Sequence, residues 1–141
     1  MAVAGVSKSG SATEQVAQMF TQLPELVNSD ADLVRRGRFL TTEFEIGASN
    51  LQLHIAIENG SVRPVLRGPF LLKPWAFVLR ADADIWLKFL EPVPAPGVHD
   101  LMALSKTGLV RIEGNLQPFM ANLQYIKDVV AAPRKLRAAK H

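Results

Sequence analysis

Residues 104–125 read LSKTGLVRIEGNLQPFMANLQY. The spacing predicts a helix end, a short strand, a tight Gly-Asn turn and then a long amphipathic helix. Gly108 stands where helix C-termini favour a left-handed residue, and Leu109, Val110 and Ile112 form the strand. Asn115 is placed to cap the next helix. Pro118 falls in its first turn, where amides lack intrahelical partners anyway. Leu116, Phe119, Met120 and Leu123 recur at helical spacing and share one face, and Pro133 ends the helix. None of these groups is an obvious catalyst. A greasy helix face without chemistry makes the domain a candidate for holding a hydrophobic molecule.

Working back from this stretch, Asp82 is placed to cap a helix carrying Ile85, Trp86, Phe89 and Leu90 on a broad apolar face. The run Glu91-Pro-Val-Pro-Ala-Pro-Gly97 stops it, and a short helix follows over 98–106 with Leu101, Met102 and Leu104 apolar. Residues 75–80 alternate through Trp75, Phe77 and Leu79. Residues 38–46 alternate through Leu40, Thr42, Phe44 and Ile46, with Glu43 and Glu45 opposite. Residues 51–57 do so more cleanly, with Leu51, Leu53, Ile55 and Ile57 on one side and Gln52 and His54 on the other. Asn59-Gly60 is a strong hairpin signal because both residues tolerate positive φ. In the returning strand, 62–67, Pro64 removes a ladder donor and belongs at an edge or a bulge. Near the start, Thr13 is placed to cap a helix from Glu14, which Pro24 ends or kinks; a short helical turn follows it. The element order predicts an α+β fold.

Composition sets outer bounds. The chain has 141 residues, 48% hydrophobic and 21% charged, as expected of one soluble globular domain. Residues 12–133 are expected to form that domain, residues 1–11 to be disordered and 134–141 to be a basic tail. The first residues do not resemble a secretory signal, the last do not form a peroxisomal address, and no apolar run is long enough to span a membrane. A cytoplasmic location is the expectation. There is no cysteine, which removes disulfides, thiolate nucleophiles and thiolate metal sites. The net charge of +3 is concentrated in the tail, at Arg134, Lys135, Arg137 and Lys140; without them 12 basic residues face 13 acidic ones. Such a tail suits nucleic acid or an anionic lipid surface, and equally a solvated terminus. Nucleic acid is disfavoured because the body lacks a basic stripe with interleaved aromatics.

The polar residues give no catalytic constellation. His54 lies on the polar side of a strand, His99 stands beside Asp100 at a helix start, and His141 is terminal. A His-Asp neighbour pair without a nucleophile elbow is weak ground for a hydrolase. Asp82 and Asp84 suit the positive end of a helix dipole better than a metal. Glu43 and Glu45 read as a solvated strand face. Arg35, Arg36 and Arg38 form a basic cluster that suits a fatty carboxylate or phosphate, or simply a solvated loop. No cofactor is expected.

Three pieces recur in an order that resembles a known family: IENGSV at 57–62, FVLRADADIWLKFL at 77–90 and KTGLVRIEGNLQPF at 106–119. They look like the sterol carrier protein type two domain, a lipid-binding and lipid-transfer module, over about residues 25–130. The resemblance implies a five-stranded, mostly antiparallel sheet covered on one side by helices, with an apolar cavity between them. The implied ligand is a fatty acid, fatty acyl-CoA, sterol or isoprenoid, bound without catalysis. The residues placed to line such a cavity are Phe44, Leu53, Ile55, Phe77, Trp86, Phe89, Leu101, Met102, Phe119, Met120 and Leu123; equally, the same residues at the same spacing fill an ordinary core. The last helix or the proline loop would move to admit the ligand, and the basic tail would hold the chain near a membrane. The alternative is an accessory lipid-binding factor in isoprenoid-quinone (ubiquinone) biosynthesis, assembled with the enzymes of that pathway; a small hydrolase or isomerase is a third class. The sequence departs from the family pattern at the long 92–97 loop, at Pro64 and at Ser105-Lys106-Thr107.

Overall fold

Strict alternation over two neighbouring segments builds the centre of the sheet. The computed structural model describes the backbone of residues 3–138 and the side chains of 12–136. β1 (Thr42–Ala48) and β2 (Leu51–Glu58) pair antiparallel, with Phe44 opposite Ile55 and Ile46 opposite Leu53. Asn59 (φ 52°) and Gly60 (φ 84°) both take left-handed conformations at the next turn, as their residue types allow. The chain returns as β3 (Ser61–Val62) and β4 (Leu66–Arg67), both antiparallel to β2, with Pro64 in the gap between them. β5 (Phe77–Ala81) lies parallel to β1, and β6 (Arg111–Gly114) lies antiparallel to β5. The sheet order is β3-β2-β1-β5-β6 with β4 also on β2. Its main path holds the five expected strands, and β4 makes a sixth. The parallel β1–β5 pair is possible because β2 and residues 59–76 together supply the long connection that parallel neighbours need.

Eight helices pack around this sheet among the described residues: α1 (Val3–Phe20), α2 (Leu23–Asn28), α3 (Ala31–Arg36), α4 (Ala83–Phe89), α5 (Leu101–Lys106), α6 (Gln117–Ala121), α7 (Leu123–Ala131) and α8 (Arg134–Ala138). α1 takes in most of the segment expected to be disordered, so Thr13 is an interior residue and not a cap. Pro24 stands in the first turn of α2, where its missing amide costs nothing. α3 was not foreseen: Asp30 caps it by accepting from the Leu33 amide, and the Arg35–Arg36 pair lies in its last turn rather than in a loop. The expected long final helix is two helices. Asn122 turns its side-chain amide onto the Pro118 carbonyl at 3.0 Å, and its backbone N–H reaches only Phe119. That local bond competes with the helical ladder and breaks it. The basic tail likewise begins as a helix.

The sheet's inner face carries Phe44, Ile46, Leu53, Ile55, Phe77 and Leu79, all fully buried. Trp86 from α4 donates its indole N–H to the Gly47 carbonyl at 2.8 Å and meets Phe20 and Phe89 edge-on. Each such aromatic contributes about 1.5–3 kcal/mol through burial. The outer face was expected to be solvated, yet Glu45 and His54 are 4% and 2% exposed. The crossover segment explains this. Gly68 and Phe70 donate backbone bonds to Gln52, the Phe70 ring meets His54 edge-on, and Ala76 donates to the Glu43 carbonyl. Arg80 lies over Gly47 and pairs with Glu45.

One hydroxyl ties the helix layer to the hairpin. Tyr125 on α7 donates to the Gly60 carbonyl at 2.6 Å, and its ring fills the space where a Cβ on Gly37 would sit. Burial pushes its phenol up to about 12, with the nearby Arg36 charge acting the other way. Tyr125 is the chain's single tyrosine. A tyrosinate absorbance titration is therefore expected to show its midpoint near 12, above the value of about 10 for a free phenol. Because the unfolded phenol loses its proton first, stability falls as pH rises across that window, and Tyr125→Phe is expected to flatten the fall. At neutral pH the same variant leaves the Gly60 carbonyl buried and unpaired, a loss of about 1–3 kcal/mol in urea unfolding. Gly60→Ala is expected to cost about 2–4 kcal/mol, because its Cβ would lie 2.3 Å from the Val34 carbonyl at a positive φ.

Candidate functional site

The apolar layer between sheet and helices is the place where the sequence put its lining residues. Phe44, Leu53, Ile55, Phe77, Trp86, Phe89, Leu101 and Phe119 all lie there, each fully buried or within 2% of it. Phe44 and Phe77 stack with centroids 4.9 Å apart, and Phe119 meets Phe77 edge-on at 5.4 Å. Met102 and Leu123 pack partly buried against the same cluster. Met120 does not belong to it: half of its surface is exposed, and Leu116 is also turned outward. Breaking the helix at Asn122 rotates α6 so that one residue of its apolar stripe, Phe119, points in.

α6 is therefore held to the core by a single side chain. It is preceded by Gly114 at φ 104°, where the Ala76 carbonyl and the Trp75 ring leave no room for a Cβ. Leu116, not Asn115, holds the N-cap position and makes no side-chain cap bond; the Asn115 side chain, one residue earlier, accepts from the Gln117 amide. α6 is thus a five-residue helix between a glycine and a side-chain-broken turn, with one buried phenyl ring.

Two clefts border the layer. One, of about 210 Å³, is lined by Phe89, His99, Asp100, Leu101, Gln124, Lys127, Asp128, Ala131 and Arg134. Arg134 donates through Nε to the Phe89 carbonyl and through Nη2 to the His99 carbonyl, both at 2.8 Å, while its guanidinium lies 4.5 Å above the Phe89 ring. Burial lowers its pKa from the ordinary arginine value, against the pull of the Asp100 carboxylate. The first residue of the supposed tail is thus an anchored part of the domain. Burial pushes Asp100 up, but its bond to Lys127 and the amides of Ala103 and Met102 outweigh that and leave its carboxyl low. The second cleft, of about 270 Å³, lies at the other end, lined by Ser49, Arg80, Ala81, Asp82, Ile85, Gly108, Leu109 and Arg111.

The polar candidates are occupied structurally. His99 is exposed, accepting at Nδ1 from the Gly97 amide, and its neighbour Asp100 caps α5, so the two form no catalytic pair. His54 Nε2 lies 2.6 Å from Glu43 Oε1 beneath the crossover segment, and its Nδ1 has no partner among the described residues. Asp82 occupies the N-cap position of α4 without a side-chain bond; Ser49 Oγ accepts from the Ala83 amide instead. Arg35 pairs with Asp32, Arg36 with Asp32 and Asp128, and Arg38 bonds the Arg35 carbonyl and covers Phe39. The basic cluster is thereby dispersed. Among the described residues no three acidic or histidine side chains gather for a metal ion, and no helix is long and apolar enough to cross a membrane. Arg137, Lys140 and His141 lie outside the described side chains. Asp100 and Arg134 were missed as structural residues; the Asp-before-apolar pattern at 100–104 was the available signal for the first.

No protein-family model matches the chain, and no curated relative matches either. Solved structures do. A crystal structure of sterol carrier protein 2 is 15% identical, with a TM-score of 0.63 over 86% of this chain and 95% of that one. A structure described as a UbiJ-SCP2 ubiquinone synthesis protein is 17% identical, with a TM-score of 0.56 over 87% and 93%. A solution structure of a conserved hypothetical protein from Thermus thermophilus, offered as a candidate sterol carrier protein, is 12% identical, with a TM-score of 0.57 over 82% and 86%. The chain thus has the sterol carrier protein type two fold, as its motifs led us to expect.

Replacing Arg134 with alanine is expected to cost about 2–3 kcal/mol in denaturant unfolding, with lysine recovering only part because it cannot fork between two carbonyls. Asp100→Asn is expected to lower stability at neutral pH. Since the native carboxyl is depressed, that difference is held above the ordinary aspartate range and shrinks as pH falls through the folded value.

Proposed function

We propose that this chain binds an apolar, chain-like ligand in the layer between its sheet and α6–α7, and carries or presents it without chemical change. The observation that carries this reading is the attachment of α6 by Phe119 alone, over the Phe44–Phe77 stack. Outward movement of α6 about Gly114 and Asn122 would withdraw the Phe119 ring and leave an apolar slot in its place. A fatty chain entering the slot gains about 0.8 kcal/mol per methylene buried, and a dozen or so of these offset the cost of association. Similarity to solved structures described as sterol carriers supports the reading. In this reading the moving element is α6, the first part of the expected last helix.

A narrower reading makes the ligand an isoprenoid-quinone intermediate and the chain an accessory to the enzymes that modify it. The structural likeness to a protein described as a ubiquinone synthesis factor favours it. A membrane contact through the basic tail would have to rest on Lys135, which reaches Asp30 at 3.5 Å, and on the residues that follow it. Arg134 is committed to the domain.

Native mass spectrometry with lipid extraction tests both readings. A co-purified fatty acid, acyl-CoA or sterol supports the general carrier, and a prenylated aromatic supports the narrower one. A clean apo mass together with no uptake of a fluorescent fatty acid would overturn the proposal. Phe119→Ala is expected to destabilise the fold by about 3–5 kcal/mol yet to speed uptake of the fluorescent fatty acid severalfold in stopped flow. Unchanged uptake would remove Phe119 as the gate.

A further inference from the structure

The crossover segment 63–74, RPVLRGPFLLKP, has a tip that the rest of the fold does not use. Leu71 and Leu72 are 90% and 92% exposed, side by side, between Pro69 and Pro74. Single exposed leucines are ordinary. These two are held out by a built base: Phe70 donates to Gln52 and sets its ring on His54, and Gly68 donates to the Gln52 carbonyl. Leu72 takes a left-handed backbone conformation, φ 63°, that a leucine rarely adopts. That conformation, in a segment pinned on both sides, projects the leucine pair away from the sheet.

The charged residues of the segment itself have one sign. Residues 63–74 contain Arg63, Arg67 and Lys73 and no acid. Arg63 and Arg67 pair with Glu58 and Glu14 in exposed contacts, which water and salt screen readily. Lys73, next to the leucines, makes no ion pair among the described residues. A second copy of the chain is a poor occupant, since two leucines cannot supply the roughly 800 Å² per partner that stable interfaces bury. A bilayer needs no complementary groove: it accepts a convex apolar wedge, and its anionic headgroups suit Lys73 beside it.

We propose that Leu71 and Leu72 form a membrane-inserting wedge, with Lys73 beside it facing anionic headgroups. This stands apart from the ligand reading, because the wedge lies on the crossover that covers the sheet's outer face and Phe119 lies on the inner one. The absence of cysteine allows Leu71→Cys to be labelled at one site with an environment-sensitive fluorophore. The label is expected to shift to the blue on adding phosphatidylcholine–phosphatidylserine vesicles, and less on phosphatidylcholine alone. In flotation assays, Leu71→Ser/Leu72→Ser is expected to lose about tenfold or more of the vesicle binding, with unchanged circular dichroism and unchanged fatty-acid uptake measured without vesicles. Lys73→Gln is expected to weaken binding severalfold and to reduce its salt dependence. Equal vesicle binding by the double variant, or no binding by the native chain, would overturn the proposal. So would vesicle-independent self-association abolished by the double variant, since the occupant would then be a second copy.

Discussion

The bond from the Tyr125 hydroxyl to the Gly60 carbonyl joins groups 65 residues apart, and the relation of helices to sheet depends on it. Gly60 itself is held by a bond to the Leu40 carbonyl, and Leu40 by one to Gly37. Gly37 must lack a side chain because the Tyr125 ring occupies its Cβ position. Three separate segments, the end of α3, the β2–β3 turn and α7, are thereby closed around one aromatic ring. Each gains only from the presence of the others, which is the usual origin of cooperative unfolding in small domains.

The sheet is covered on both sides by different means. Helices cover the inner face with apolar side chains. The outer face is covered by an irregular crossover that the parallel β1–β5 pairing requires. That covering is partial and polar. It buries Glu45 opposite His54 in the strand register and leaves Glu43 half in water. A crossover stretched over a face has to end its contacts somewhere, and where its turn rises off the sheet the leucine pair is left outside.

The inner layer is filled with side chains, and the same residues serve as core and as candidate ligand contacts. Phe44 and Phe77 sit on two central strands and are fixed by backbone pairing. Phe119 sits on a helix too short to be stable alone. The fold thus sets a floor fixed by strand pairing under a short helix that buries one side chain, Phe119.

The sequence by itself determined the local elements. Alternation placed Phe44, Ile46, Leu53 and Ile55 on one face, Asn59-Gly60 made the hairpin turn, and Gly108 and Asn115 marked where helices end and begin. These features depend on neighbours within a few residues, so their signals are local. The order of three motifs also pointed to the fold. Only the tertiary structure decided that the face bearing Glu45 and His54 is covered, because that depends on where a crossover many residues away comes to rest. It also decided that Asn122 divides the last helix and turns Met120 to solvent, where periodicity had placed it inward. Arg134 looked like the first charge of a free tail. Its carbonyl partners at Phe89 and His99 are 45 and 35 residues distant, and no local pattern encodes a bond of that reach.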